Sequence, residues 1–231
     1  MFIGTEGIHG RNDDVLADKI WESIRANALV RRDRHLSDPV LLREDLVYAK
    51  ANGDCLLQDE FWTCCESIES IAQLLELSDD CIVLFLYHRD EQSAAVADYT
   101  EFGMRIIAKR RVVAASFGNN RDYVPLDVRF YTDGNGDFCT TDAGERIKLS
   151  EDGMVGTAHL AVTDGIGYIS DLEVIASHRR RGIGRGLMEL CLSEAEKSGS
   201  SFAYAISTPL GYAAYRQIPS IQVVSWVSIF I

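Results

Sequence analysis

Arg179-Arg180-Arg181-Gly182-Ile183-Gly184-Arg185-Gly186 sets three glycines at alternate positions among arginines. Glycine lets backbone amides approach a ligand with no Cβ in the way. The residues before it, Tyr168 to Ile175, are apolar and β-branched enough to read as a strand. After it, Leu187, Leu190, Cys191 and Ala195 recur at helical spacing. The loop therefore runs into a helix N-terminus, where four N–H groups lack partners and the dipole end is positive. Strand, basic glycine loop and amphipathic helix in that order make an anion cradle, and a pyrophosphate suits it. The spacing is not that of a dinucleotide fingerprint, and no ribose-binding acid follows on a second unit.

Leu172-x-Val174-x-Ala176-x-x-Arg179-x-x-Gly182-Ile183-Gly184 resembles the acetyl-CoA signature of the GNAT superfamily of N-acetyltransferases, L-x-V-x-P-x-x-[QR]-x-x-G-x-[GA]. Ala176 stands where that family usually has proline. The resemblance runs from near Tyr131 to near Tyr215 and implies acetyl transfer from acetyl-CoA to an amine by direct attack. It implies an oxyanion donor in the Val174 amide, where the signature strand bulges, with Leu172 and Ile175 along the pantetheine arm. The amides from Arg181 through Gly182, Ile183, Gly184 and Arg185 to Gly186 would hold the pyrophosphate, assisted by Arg179 and Arg181. Tyr215 matches the family's A-x-x-[LF]-Y position, which implies the proton donor to the leaving thiolate; Tyr212 is the substitute. The flanks Ser207-Thr208-Pro209 and Ile218-Pro219-Ser220 depart from the family's asparagine and Gly-Phe.

Acetyl transfer also needs a neutral amine, so a base or a water path must take its proton. Relatives often carry the base at positions matching Tyr168 or Ser170, neither a natural base near neutral pH. Asp171 and Glu173 are the carboxylate candidates. Strand alternation puts both on the face opposite Ser170, so a bulge must redirect one of them. His159 and His178 read as structural histidines. The weak base and altered tail leave a second expectation, a catalytically weak acetyl-CoA-binding sensor or interaction module.

Composition narrows the partners. The chain has 231 residues, 47% hydrophobic and 25% charged, with a formal net charge of −12, as expected of a soluble globular protein. An acidic surface disfavours nucleic acid and suits a cationic amine. Six cysteines include no C-x-x-C pair, so no metal site is expected. Asp133-Gly134-Asn135-Gly136-Asp137 opens like a calcium loop, but Phe138 and Gly144 occupy positions that need glycine and glutamate; a hairpin turn is expected. Cys64, Cys65 and Cys191 fall in apolar patterns and read as core. No signal peptide or membrane-spanning stretch is visible, and a cytoplasmic location is expected.

The elements follow from periodicity. Leu16, Ile20, Ile24 and Ala28 announce a helix behind Asn12-Asp13-Asp14. Ser37-Asp38-Pro39 predicts a second helix to about Lys50, and Phe61, Cys65, Ile68, Ile71 and Leu75 a third over about Asp59–Leu77. Cys81–Tyr87 reads as a buried strand. Glu91 to Lys109 reads as a helix and Val112–Ala115 as a short strand. Strands are then expected at Val128–Tyr131, Met154–Val162, Tyr168–Ile175, Phe202–Ile206 and Val223–Ile231, with a turn at Asp164-Gly165 and a helical turn from Pro209 to Tyr215. No internal repeat is evident. The fold class is α/β, a GNAT-like mixed, mostly antiparallel sheet flanked by helices. Residues 1–80 form a helical N-terminal region and 81–231 the acetyl-CoA-binding domain. The apolar last strand would leave an open edge, which predicts a homodimer through it.

Overall fold

The structure is a computed structural model. It describes residues 9–30, 40–43, 46–50, 59–64, 82–101, 103–117, 129–132, 137–141 and 154–231. The chain divides into two compact units, Met1–Arg110 with Val224–Ile231, and Arg111–Val223. Most of the last strand falls in the first unit. In each unit the strands are mixed and mostly antiparallel, flanked by helices, as the sequence predicts.

In the first unit, helix α1 (His9–Val30) buries Ala17, Ile20, Trp21 and Ile24. Tyr87 fixes it, with the hydroxyl donating to the Ala17 carbonyl at 2.8 Å. The expected second helix is instead two strands, β1 (Val40–Arg43) and β2 (Leu46–Ala49), paired antiparallel. Leu46, Val47 and Ala49 are buried in β2, which pairs with β1 on one edge and β3 on the other, and that tertiary pairing overrides the helix signal of the cap. The expected third helix begins as strand β3 (Asp59–Thr63), and its remainder lies outside the described residues. Strand β4 (Ile82–His88) matches the buried apolar run. Helix α2 is only Ala94–Glu101. It ends at Gly103, whose φ of +104° leaves helical space, and Ile106 opens the long strand β5 (Ile106–Ser116). The predicted Val112–Ala115 strand is the buried end of β5.

The second unit is built on β6 (Arg129–Thr132), β7 (Asp137–Thr141), β8 (Met154–Thr163), β9 (Ile166–Val174), helix α3 (Ile183–Lys197), β10 (Phe202–Ser207) and helix α4 (Pro209–Tyr215). Its strand order is β5-β10-β9-β8-β7-β6, parallel only between β10 and β9. β6 and β7 pair as the expected hairpin, with the turn itself outside the described residues. Asp164 and Gly165 both have positive φ, the requirement of a two-residue hairpin turn. Helix α3 packs Ile183, Leu187, Met188, Cys191, Leu192 and Ala195 into a core shared with Ile169, Ala203 and Ala205. It stops at Gly199, where Ser200 N bonds to Ala195 O. Cys191 is fully buried, and burial pushes its thiol up to about 12. Cys64 is half-buried, not core, and Cys65 lies outside the described residues.

The last strand, β11 (Gln222–Phe230), lies within the chain's own sheet. Trp226 to Phe230 pair with His88 to Leu84 of β4. On the other edge Ile231 and Arg105 exchange reciprocal backbone hydrogen bonds. Having partners on both edges, the strand lacks the open edge that argued for a dimer.

Candidate functional site

The register of β9 against β8 slips once. Thr157 pairs with Glu173 and His159 with Ser170, so Ala158 alone faces Asp171 and Leu172. This is a β-bulge, and Asp171 takes the left-handed position with φ of 50°. Aspartate tolerates that region better than most residues. Its Oδ2 also accepts a hydrogen bond from Ser170 Oγ at 3.0 Å. Before the bulge Ile169 faces the core under α3; after it Leu172 and Val174 do. The extra residue thus exchanges faces, and Glu173, which alternation alone puts opposite Ser170, shares the outer face with Ser170 and Tyr168.

The bulge also aims a backbone amide. Ile175 N donates to Val155 O at 3.0 Å, so the N–H and C=O of Val174 point away from β8. On that side β10 pairs with β9 only from Ile166 to Tyr168. Beyond Tyr168, whose ring stacks on Tyr204 at 5.0 Å, the two parallel strands part and the Val174 amide faces the gap. The Val174 carbonyl accepts from Arg179 Nε at 2.9 Å, which ties the glycine loop to the end of β9.

The loop then delivers α3 to the same place. Gly182 is its N-cap, with φ 82° and no side-chain capping bond, and the first helical bond runs from Gly186 N to Gly182 O. The amides of Gly182, Ile183, Gly184 and Arg185 are the unpaired donors of the first turn. Ile183, 3% exposed, anchors the turn in the core. A Cβ built on Gly184 would lie 3.7 Å from both Leu172 and Val174 side chains, so the helix start abuts the end of β9. Arg181 donates to Ser177 O at 3.3 Å. Arg185 is committed to Glu189 at 2.9 Å. Ile175 is left 46% exposed beside the loop. Uncapped amides behind a bare glycine backbone fit a pyrophosphate.

Tyr215 ends α4 and sits in the core cluster that Leu172 and Val174 pack against. It is 5% exposed, and burial raises its hydroxyl to about 12. No described hydrogen bond joins it to Asp171 or Glu173. Tyr212 is half-buried under the Arg111 guanidinium, 4.7 Å from the ring centre. Sequence reasoning missed Arg111, which neighbours Ser207 across β5 and β10; nothing local announces a partner one hundred residues away. It also missed the capping Thr208, which accepts from Gly211 N, although Thr-Pro before a helix is a readable signal. His178 bonds Ser177 within the turn after β9. His159 stands half-buried on β8 opposite Ser170.

Residues 117–216 match the model of the acetyltransferase (GNAT) family. Among solved structures the fold is similar to a GCN5-related N-acetyltransferase from Kribbella flavida, with a TM-score of 0.63 and 17% identity over 93% of this chain and 95% of that one. It is also similar to one from Sphaerobacter thermophilus, TM-score 0.57 and 13% identity over 83% and 81%. A putative GNAT acetyltransferase from Novosphingobium aromaticivorans gives 0.52 and 10% over 90% and 92%. At these identities the likeness is one of fold. No curated protein matches the chain in sequence.

Proposed function

We propose that the chain, whose residues 117–216 match the model of the acetyltransferase (GNAT) family, moves acetyl from acetyl-CoA to a cationic amine by direct attack. The observation that carries the proposal is the bulge at Asp171–Leu172, which turns the Val174 amide into the gap beside the uncapped start of α3.

Acetyl-CoA supplies the activated acyl group as a thioester. The first-turn amides from Gly182 to Arg185 hold its pyrophosphate, and Arg179 and Arg181 add positive charge. Leu172 and Ile175 line the pantetheine arm. The Val174 N–H donates to the acyl oxygen, where negative charge grows as the amine attacks. Glu173, brought to the outer face by the bulge, takes the proton from the amine, and Asp171 holds the bulge and adds negative charge. Both carboxylates are exposed, which with the net charge of −12 favours an acceptor that arrives as an ammonium. Tyr215, at about 12, stays protonated through neutral pH. Thiols hold their proton only to about 8.5, so its hydroxyl stabilises the departing thiolate by donating a hydrogen bond rather than by surrendering the proton.

The test is a screen of amines for release of free thiol from acetyl-CoA. Amine-dependent release, fastest with cationic amines, is the expected result. Bound acetyl-CoA with no release across alkyl, aryl and peptide amines would overturn the transferase assignment.

A further inference from the structure

The sequence shows no repeat, yet the strand topology does. In the first unit the order is β1-β2-β3-β4-β11, with pairings antiparallel, antiparallel, parallel, antiparallel. In the second unit β7-β8-β9-β10-β5 has the same four senses in the same order. The connections correspond as well. β4 leads through α2 into β5, and β10 leads through α4 into β11. Each half of the chain therefore makes a last strand that completes the other unit. β5 pairs Arg111 to Ser116 with β10, and β11 pairs Trp226 to Phe230 with β4.

The two copies differ where it matters for a ligand. In the second, the parallel pair separates after Tyr168 and Tyr204, and β9 carries the bulge. In the first, β3 stays paired with β4 along its whole length, from Asp59–Ile82 to Thr63–Leu86, and its pairing with β2 is unbroken. Trp62 and Phe85 stack across that pair at 4.0 Å with 3° between planes, so among the described residues β3 and β4 stay together. The sequence after β3, from Cys64 to Asp80, contains no glycine, lysine or arginine, the residue types that build the cradle after β9.

We infer that the chain is two copies of one sheet module with exchanged last strands, of which the second carries the cradle for acetyl-CoA and the first lacks the residues to build one. Each chain takes one acetyl-CoA, and the donor site's stability is linked to the first unit through the two shared strands. This rests on the donor reading above. A ligand that binds only the folded second unit then stabilises both.

All three tryptophans, Trp21, Trp62 and Trp226, belong to the first unit, so their fluorescence reports a unit that does not hold the ligand. The experiment is urea unfolding of the full chain, followed by tryptophan fluorescence and far-UV circular dichroism, with and without acetyl-CoA, beside a calorimetric stoichiometry. Coincident transitions, a tryptophan midpoint raised by acetyl-CoA, and one site per chain are expected. Two sites per chain, or a tryptophan transition separate from the rest and unmoved by bound acetyl-CoA, would overturn the inference. If acetyl-CoA does not bind at all, the donor reading falls, and the coincidence of the ligand-free transitions still decides this one.

Discussion

Tyr215 and Glu173 divide the proposed chemistry, and each has its own signature. Tyr215→Phe removes the hydrogen bond to the departing thiolate and keeps the packed ring. It is expected to lower kcat on the order of 10²-fold and leave the KM for acetyl-CoA unchanged; steady-state thiol release measures both. Glu173→Gln keeps shape and removes the proton acceptor. Its loss of rate should shrink as pH approaches the amine's own pKa, where the substrate is already neutral, and a pH–rate profile of the variant reads this. A constant deficit at every pH would move the base elsewhere. The Gly182 conformation is a separate matter. With φ 82°, Gly182→Ala is expected to cost about 1–2 kcal/mol of stability, seen as a lower thermal midpoint. At this scale the sequence was informative for the loop, because glycine spacing and a following helix are local. It offered Glu173 and Asp171 without choosing between them, because the face of each depends on a register slip that only the pairing of β9 with β8 reveals.

At the scale of elements, β9 and α3 must lie close for the cradle to meet the bulge. Gly167 makes that possible: a Cβ there would come within 2.9 Å of the Cβ atoms of Ala195 and Ala203, neither of which can turn aside. Gly167→Ala should force α3 and β10 outward and cost about 1–3 kcal/mol, measured by denaturant unfolding; an unchanged midpoint would contradict this close packing. The strand-rich second unit was legible because β8 and β9 bound a tight Asp-Gly turn and β10 is short and apolar. The first unit was less so. Val40-Leu41-Leu42 and Leu46-Val47 carry too few polar residues to distinguish a helix from a doubly covered strand, and tertiary pairing decided it.

For the molecule as a whole, two buried tyrosines set an alkaline limit. Tyr87 and Tyr215 are each raised by burial to about 12 from an ordinary 10. Their folded pKa lies above the unfolded one, so the stability they contribute is complete below about pH 10 and is lost as pH rises toward about 12. Unfolding midpoints should fall across that window, and less steeply in Tyr87→Phe. A flat profile between pH 10 and 12 would contradict the burial. Among the described helices none is long and apolar enough to cross a membrane. The closing strand was expected at an open edge and is instead paired on both sides, because its partners, His88 facing Trp226 and Arg105 facing Ile231, lie far back in the sequence. No window of sequence short enough to read by periodicity contains both.

The start of α3, against the bulged end of β9, is proposed to bind acetyl-CoA, and calorimetric titration of the wild-type chain beside Gly184→Glu decides it. Gly184 has room for a Cβ at ordinary contact distance, so the variant should fold, while its carboxylate meets the amides that the pyrophosphate needs. Micromolar binding in the wild type, weakened at least about tenfold in the variant with an unchanged thermal midpoint, is the predicted result. No binding to the wild-type chain, or equal binding by both, would rule out this site.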